Sequence, residues 1–237
     1  MQAVILAAGI GKRLAKETNG KPKSLLKIGS RSIIQRQIEC CLKAGINDFV
    51  IVIGFCQELM RKHINMILKE DQVTYVINDI YDKTNTLYSL YLAHQYFRGD
   101  ILYFNADVVF EEHLLKKLLD YPGSSVLVEK RNDCGAEEVK VILDQKGMLK
   151  MIGKDLPGNQ SVGEFMGIAC FRKETAIELV KCLQVGIELE QHNNFFEYAL
   201  NRFCADLEVR AIFTGTAKCL EIDFPEDLRR AWELFDQ

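Results

Sequence analysis

The sequence is poor in the residue patterns that mark zinc sites, signal peptides and membrane spans. Its eight cysteines include no C-x-x-C pair, and its four histidines do not stand at zinc-ligand spacing, so we expect reduced thiols, mostly in the core. No apolar run approaches the ~20 residues of a membrane span. Residues 1–6 resemble a strand, without a charged leader or cleavage signal. These absences predict a cytoplasmic chain without membrane insertion.

An excess of positive charge is also missing, because the formal net charge is -3 at pH 7. Affinity for nucleic acid depends on clustered Lys and Arg that neutralise phosphates, so nucleic acid is not an expected partner. Local basic residues remain available for a small anion. The 237 residues, 48% of them hydrophobic, suffice for one buried core, and no linker or repeat divides them. We therefore predict one domain over residues 1–237.

Apolar β-branched runs alternate with helical patterns through the first half of the chain. The predicted strands are residues 3–6, 49–53, 73–77 and 101–104, and the predicted helices are 32–44, 57–68 and 87–97. Such alternation implies βαβ units with right-handed crossovers. The first half therefore predicts a mostly parallel sheet.

The second half predicts antiparallel additions to that sheet. Residues 139–143 and 148–152 flank Asp144-Gln145-Lys146-Gly147, a turn-forming tetrapeptide typical of a hairpin. The remaining predicted elements are strands at 165–171 and 207–212, helices at 174–183 and 195–203, and a closing helix from Pro225. The predicted fold class is thus α/β, with a mixed, mostly parallel central sheet and a small antiparallel hairpin.

A glycine-containing segment directly follows the first predicted strand. Residues 6–14 read LAAGIGKRL, and residues 21–26 read KPKSLL. Small residues let backbone N–H groups approach phosphates, and cations oppose a triphosphate charge. The segment is not a Rossmann fingerprint, because Leu14 stands where the third glycine belongs, and the sequence has no P-loop. By itself, Gly9-Ile10-Gly11 also fits a tight strand exit beside solvated lysines.

Two aspartates are predicted to lie at strand ends. Asp107 is the last residue of the tripeptide Asn105-Ala106-Asp107. This tripeptide lies at the carboxyl end of the fourth strand, where open α/β sheets bind ligands. Asp223 lies in LEIDFPEDL, residues 220–228, between a strand end and a helix opened by Pro225. Carboxylates so placed can hold Mg²⁺, but each aspartate alone also fits a helix cap or a turn.

Taken together, these motifs resemble the nucleotidyltransferases of the sugar-phosphate and phosphocholine type, whose signature is L-A-A-G-x-G-x-R followed by K-P-K. Asn85 and Ser89 further match the N-x-x-S-L-x-x-A segment of bacterial phosphocholine and related cytidylyltransferases. The resemblance covers nearly the whole chain. It implies a single-domain GT-A/Rossmann-like nucleotidyltransferase fold, with a nucleotide-binding half over about residues 1–110 and an acceptor-binding, metal-completing half over about 111–237.

The resemblance also implies roles for individual residues. The residues expected to bind the nucleotide are Leu6, Ala7, Ala8, Gly9, Gly11, Arg13, Lys23, Asn78, Asn85, Ser89 and Ala106. The expected catalytic residues are Lys23, Arg13, Asp107 and Asp223, of which the two aspartates would bind Mg²⁺, the expected cofactor. Lys12 occupies a variable place in the pattern and is expected on the surface.

The implied reaction is in-line attack by an acceptor phosphate or phosphonate oxygen on the α-phosphorus of a nucleotide, with pyrophosphate leaving. Positioning and charge neutralisation dominate such transfers. A phosphate with a second pKa near ~6 is largely a dianion at neutral pH, so it needs no side chain to remove a proton. The absence of a histidine-centred motif agrees with this mechanism.

The acceptor site is expected within residues 131–140 and 163–167. The predicted acceptor-binding residues are Asp133, Glu138, Lys140, Glu164 and Gly167. Lys140 would bind the phosphate, and Glu138 or Glu164 an amine, although alternating charges on a hairpin also fit a solvated face. Phosphocholine enzymes place a tryptophan here, because a quaternary ammonium prefers an aromatic face. Glu138 near that place favours 2-aminoethylphosphonate, with phosphoethanolamine or phosphocholine next.

The expected partners are therefore CTP and a small phosphate or phosphonate acceptor. One alternative is a sugar-1-phosphate or inositol-phosphate nucleotidyltransferase that uses UTP, dTTP or CTP. Another is a non-catalytic nucleotide-sensing subunit, against which the presence of Lys23, Asp107 and Asp223 argues. The sequence does not determine the natural acceptor, the pathway or whether the chain is part of a larger multifunctional protein. It also does not determine the oligomeric state, for which a homodimer is one option.

Overall fold

A computed structural model of the protein describes residues 1–203 and 207–235. The strands are β1 (Gln2–Ala7), β2 (Lys27–Ile28), β3 (Arg31–Ser32), β4 (Phe49–Ile53), β5 (Val73–Ile77), β6 (Ile101–Asn105), β7 (Val108–Phe110), β8 (Ser124–Lys130), β9 (Lys140–Leu143), β10 (Leu149–Gly153), β11 (Gly163–Phe171), β12 (Val209–Phe213) and β13 (Cys219–Glu221). The α-helices are α1 (Ala15–Thr18), α2 (Ile33–Lys43), α3 (Gln57–Ile64), α4 (Thr86–Ala93), α5 (Glu112–Asp120), α6 (Lys173–Glu188), α7 (Phe196–Phe203) and α8 (Pro225–Phe235).

A nine-stranded mixed sheet organises the molecule. Strands β5, β4, β1 and β6 lie side by side in parallel, and β11 joins β6 in the opposite direction. On its other side β11 pairs with β8, which pairs in parallel with β12. The hairpin β9–β10 attaches to the start of β11. The predicted sheet and hairpin are confirmed.

Both faces of the sheet are buried. Along β1, Ala3 and Ile5 face one apolar cluster, whereas Val4 and Leu6 face another, because successive side chains of a strand point to opposite faces. Helices α2, α3 and α5 cover the first face, and α4, α6 and α7 cover the second. Such two-sided burial explains why the central strands are nearly continuous apolar runs.

Some elements differ from the sequence prediction. The helix predicted over residues 57–68 ends at Ile64, and the one predicted over 174–183 continues to Glu188. Strand β8 was not predicted, because its apolar run is only three residues long and begins after two serines. Ser124 is nevertheless buried, and its hydroxyl donates a hydrogen bond to Thr175 Oγ1 at 2.7 Å. Burial with a hydrogen-bond partner makes serine compatible with this strand.

The cysteines agree only in part with the expectation of reduced thiols. Those that are free in the described residues are Cys40, Cys41, Cys56, Cys134, Cys170 and Cys219. Cys182, on α6, is disulfide-bonded, which corrects the prediction for that residue. Cys204 lies outside the described residues. Sequence spacing missed the bond because a disulfide depends on proximity in the fold rather than along the chain.

Candidate active site

A cleft of about 370 Å³ lies at the carboxyl ends of the parallel strands, within the size range of ligand pockets. All eleven residues predicted to bind a nucleotide line this cleft, as do Asp107 and Asp223. The other residues that line it are Ser24, Tyr81, Thr84, Thr86, Asn105, Glu137, Val139, Lys154, Phe195, Glu197 and Glu221. The structure thus brings together motifs that are widely separated in the sequence.

The glycine-containing segment of residues 6–14, which we call the glycine loop, passes close to the segment that carries Lys23. Gly11 has φ +69°, and a Cβ atom built there would lie 2.7 Å from Lys23 Cβ, closer than carbon atoms pack. Gly9 has no positive φ, and a Cβ atom added to it would have no neighbour within 4 Å. Gly11 is therefore required by backbone geometry and close approach, whereas Gly9 leaves an open surface toward the cleft.

The Lys23 ammonium lies between the two predicted metal aspartates. Its Nζ is 2.7 Å from Asp107 Oδ2 and 2.6 Å from Asp223 Oδ1. Burial lowers the Lys23 pKa, but the two carboxylates outweigh burial and hold it above its ordinary value. Burial raises the Asp223 pKa, but the nearby Lys23 ammonium lowers it by more. The Asp223 pKa therefore lies below its ordinary value. The group is a compact cluster in which one ammonium lies between two carboxylates.

The backbone fixes the two aspartates next to each other. Asp107 follows β6, and Asp223 follows β13, which pairs with β7. The Ile222 N–H donates to the Asp107 carbonyl oxygen at 3.0 Å, so the two motifs are joined directly. The predicted placement of both aspartates after strand ends is confirmed.

Glu221 adds a third carboxylate to this cluster. Carboxylate oxygens of Asp107, Glu221 and Asp223 all lie within 4.8 Å of one another. Burial, followed by the nearby aspartates, raises the Glu221 pKa well above its ordinary value. Among the described residues, Asp107 Oδ1 is buried without a hydrogen-bond partner. Three converging carboxylates with an unpartnered oxygen fit the oxygen-ligand chemistry of Mg²⁺.

The sequence contained a signal for Glu221 that the prediction did not use. Glu221 stands two positions before Asp223, and side chains two apart in an extended segment point to the same side. Asn105 is similar, since it belongs to the same short motif as Asp107 and also lines the cleft.

Asn78 and Asn85 lie in the loop between β5 and α4, and Ser89 lies in α4 itself. Asn78 Nδ2 donates to Thr84 Oγ1 at 3.0 Å and to Ser89 Oγ at 3.1 Å. Asn85 Oδ1 accepts a hydrogen bond from the Thr86 N–H at 2.9 Å and caps α4. Helix capping and a position in the cleft wall therefore coexist at Asn85.

The second half of the chain supplies a further part of the cleft lining, which we call the distal wall: Glu137, Val139, Lys154, Phe195 and Glu197. Glu137 Oε2 lies 2.8 Å from Arg13 Nη2 and 3.5 Å from Lys154 Nζ. The Lys154 ammonium also lies 5.3 Å from the centre of the Phe195 ring. Burial raises the pKa of Glu197 to about 7. Of these five residues, Glu137 and Val139 lie within residues 131–140, where the acceptor site was expected from the sequence, and no motif marks the other three.

The five predicted acceptor-binding residues, all of them described, do not line this cleft. Lys140 is buried, and its Nζ donates to the Lys154 carbonyl oxygen at 2.6 Å, so it holds the backbone of a cleft residue. Asp133 is exposed. Gly167, with φ +64°, lies in a β-bulge against the Asn105 side chain. The role of these five residues in acceptor binding stays a prediction.

Arg131 forms ion pairs with Glu138 and Glu164, the two carboxylates predicted to bind an amine. Its guanidinium lies 3.0 Å from Glu164 Oε2, 3.7 Å from Glu138 Oε1 and 2.6 Å from Glu129 Oε2. Burial raises the Glu164 pKa to about 7, with Arg131 opposing that effect. The sequence prediction counted the carboxylates of this region but not the ion pairs that Arg131 makes with them.

The sheet, the glycine loop and the clustered carboxylates define a nucleotidyltransferase fold with a cleft at the carboxyl ends of its parallel strands. The sequence matches the MobA-like NTP transferase domain family over residues 3–178, and the chain belongs to this family. None of the helices in the described ranges combines the length and apolar character needed to cross a bilayer.

Individual proteins of known activity align with nearly the whole chain. It is 25% identical to CTP:phosphoglutamine cytidylyltransferase from Campylobacter jejuni over 251 residues, which cover 96% of this chain and 98% of that protein. It is 24% identical to 2-aminoethylphosphonate cytidylyltransferase from Lancefieldella rimae over 229 residues, 95% of this chain and 89% of that protein. The structure of CTP:phosphocholine cytidylyltransferase from Streptococcus pneumoniae matches with a TM-score of 0.82 and 24% identity, covering 98% of each chain. This last match confirms the fold.

Proposed function

We propose that the protein is a Mg²⁺-dependent cytidylyltransferase that transfers CMP from CTP to a small phosphonate or phosphate head group and releases pyrophosphate. The observation that carries the proposal is the Lys23 ammonium held between Asp107 and Asp223 in a cleft that the glycine loop also lines. The activities of the two full-length relatives, both cytidylyltransferases, support the choice of CTP.

The charged residues around Lys23 would divide two tasks in this reaction: binding the triphosphate and binding the metal ion. Arg13 and Lys23 oppose the negative charge of the triphosphate, and the glycine loop brings backbone N–H groups close to it. Asp107, Glu221 and Asp223 would hold Mg²⁺, which supplies further charge neutralisation at the transferred phosphate. The acceptor dianion attacks without a general base. The protein therefore acts by orientation and electrostatics.

We favour 2-aminoethylphosphonate as the acceptor, with phosphocholine and phosphoethanolamine next. The distal wall offers a cation, Lys154, for a phosphonate or phosphate, and both polar and aromatic groups for the remainder of the head group. Lys154 takes over the role predicted for Lys140, because Lys154 lines the cleft and Lys140 is buried behind it.

A pyrophosphate-release screen tests the proposal. CTP, UTP, dTTP and ATP are each combined with Mg²⁺ and with the three named acceptors, glucose 1-phosphate or inositol 1-phosphate, and Asp107→Ala serves as the inactive control. We expect release with CTP and at least one of the three acceptors. Turnover confined to UTP or dTTP with glucose 1-phosphate would overturn the assignment to cytidylyl transfer.

A further inference from the structure

Glu197 is a buried carboxylate in the wall of the cleft. It lies in the first turn of α7, its residue surface is 3% exposed, and it lines the cleft. Among the described residues, its Oε2 atom has no hydrogen-bond partner. A buried carboxylate oxygen without a donor is costly, and buried polar groups are otherwise nearly always paired. A donor supplied by a bound molecule would satisfy it.

The position of Glu197 indicates which molecule supplies that donor. It belongs to the distal wall, with Lys154 and Phe195, whereas the residues predicted to bind the nucleotide come from the first half of the chain. A carboxylate repels a triphosphate, so the charged part of CTP is a poor partner. Lys154 offers the cation that an acceptor phosphate or phosphonate requires.

We propose that Glu197 selects acceptors that carry a primary ammonium group. On the distal wall, the Glu197 carboxylate would accept a hydrogen bond from an N–H of that ammonium. The inference rests on the proposed cytidylyl transfer and names the chemistry of its acceptor. It also moves the amine site from Glu138, which lies beside Arg131, to a carboxylate in the cleft itself.

A primary ammonium and a trimethylammonium head group differ in whether they can donate a hydrogen bond to Glu197. A trimethylammonium has no N–H to donate, so it would leave Glu197 Oε2 unpaired, although the Phe195 face suits such a cation. A site built for hydrogen bonds rejects a ligand that lacks the donor by a large factor, up to ~10⁴. Phosphocholine should therefore be a poorer acceptor than phosphoethanolamine.

The test compares acceptors that differ only at this group, with CTP and Mg²⁺. Values of kcat/KM are measured for phosphoethanolamine, phosphocholine and propyl phosphate, and for 2-aminoethylphosphonate and propylphosphonate. For wild type we expect the amine to be preferred over its methyl isostere by about 100-fold or more, as for a missing donor in a polar site. Glu197→Gln should reduce that preference to within about tenfold with little change in the KM for CTP.

Two further variants separate specificity from folding. Glu178→Gln, an exposed carboxylate on α6, is the matched control and should retain the wild-type preference. Glu197→Asp keeps the charge and should retain more of the preference than Glu197→Gln. Thermal melts establish that each variant is folded, and calorimetric binding of 2-aminoethylphosphonate provides a readout independent of turnover.

Unchanged amine preference in folded Glu197→Gln would overturn the inference. So would a higher KM for CTP alone, which would place Glu197 at the nucleotide, or a wild-type preference for phosphocholine or the methyl isosteres. In each of these cases cytidylyl transfer itself still stands. Failure of CTP to release pyrophosphate with every acceptor, while 2-aminoethylphosphonate binds through Glu197, would instead contradict the proposed function.

Discussion

Lys23 Nζ lies 2.6 Å from Asp223 Oδ1, although the two residues are 200 positions apart in the sequence. The contact exists because β13 pairs with β7 and delivers Asp223 to the edge of the sheet where Lys23 lies. Asp107 completes the arrangement at 2.7 Å. The first and last parts of the chain thus meet at one ammonium group, whose charge opposes that of the carboxylates around it.

Replacement of Lys23 should impair the chemical step. Lys23→Ala removes a cation that stabilises charge on the transferred phosphate, and we expect kcat to fall by ~100-fold or more. Steady-state kinetics with CTP and 2-aminoethylphosphonate measure the effect, with Lys16→Ala, an exposed lysine on α1, as control. A modest rise in KM alone would give Lys23 a uniform binding role instead.

Asp107 and Asp223, the proposed Mg²⁺ ligands, should each be indispensable. Asp107→Ala and Asp223→Ala should abolish turnover while the fold remains intact, because the remaining carboxylates cannot hold the cation that neutralises the transferred phosphate. Circular dichroism checks the fold, and Mn²⁺ titration checks metal affinity, which should fall in both variants. Asp120→Ala, at the exposed end of α5, is the control. Near-wild-type activity in either aspartate variant would refute the assignment.

Gly11 and Gly9 should respond differently to the same substitution. Gly11→Ala places a methyl group against Lys23 Cβ at a positive φ, and should destabilise the protein by roughly 1–3 kcal/mol. Gly9→Ala meets no neighbour and should leave the melting temperature unchanged, while its methyl group raises the KM for CTP. Equal melting temperatures for the two variants would contradict this account of the loop.

The pH dependence of stability should reflect Glu197. Because burial raises its pKa to about 7 in the folded protein, the folded state binds this proton more tightly than the unfolded state. Its contribution to stability is complete below the unfolded pKa near ~4.3 and is lost as the pH rises through about 7. Melting temperatures should therefore decline over this range, and Glu197→Gln should reduce the decline.

The remaining slope in that variant would come from other buried carboxyls, such as Glu164, whose pKa burial also raises to about 7. Glu178→Gln should melt with the wild-type pH dependence. An identical decline in Glu197→Gln and wild type would show that Glu197 does not hold its proton in the folded state.

The sequence by itself determined the part of the cleft that the first half of the chain builds. The central strands are apolar on both faces, and Gly9, Asn78 and Asp107 follow shortly after the ends of β1, β5 and β6. Because parallel strands end at the same edge of a sheet, local patterns were sufficient to place Gly11, Asp107 and Asn85 around one cleft.

Only the tertiary structure decided the distal wall. Glu137 lines the cleft while the adjacent Glu138 lies beside Arg131, and Lys154 lines it while Lys140 is buried behind. Neighbouring side chains in an extended segment point to opposite sides, so a shift of one residue reverses which of them faces the cleft. Where an irregular connection precedes the segment, the sequence alone does not determine that shift. Glu197 reaches the cleft from α7, which packs against α4, α6 and β10. Such side-chain directions and charge partners follow from packing between segments, which no single segment encodes.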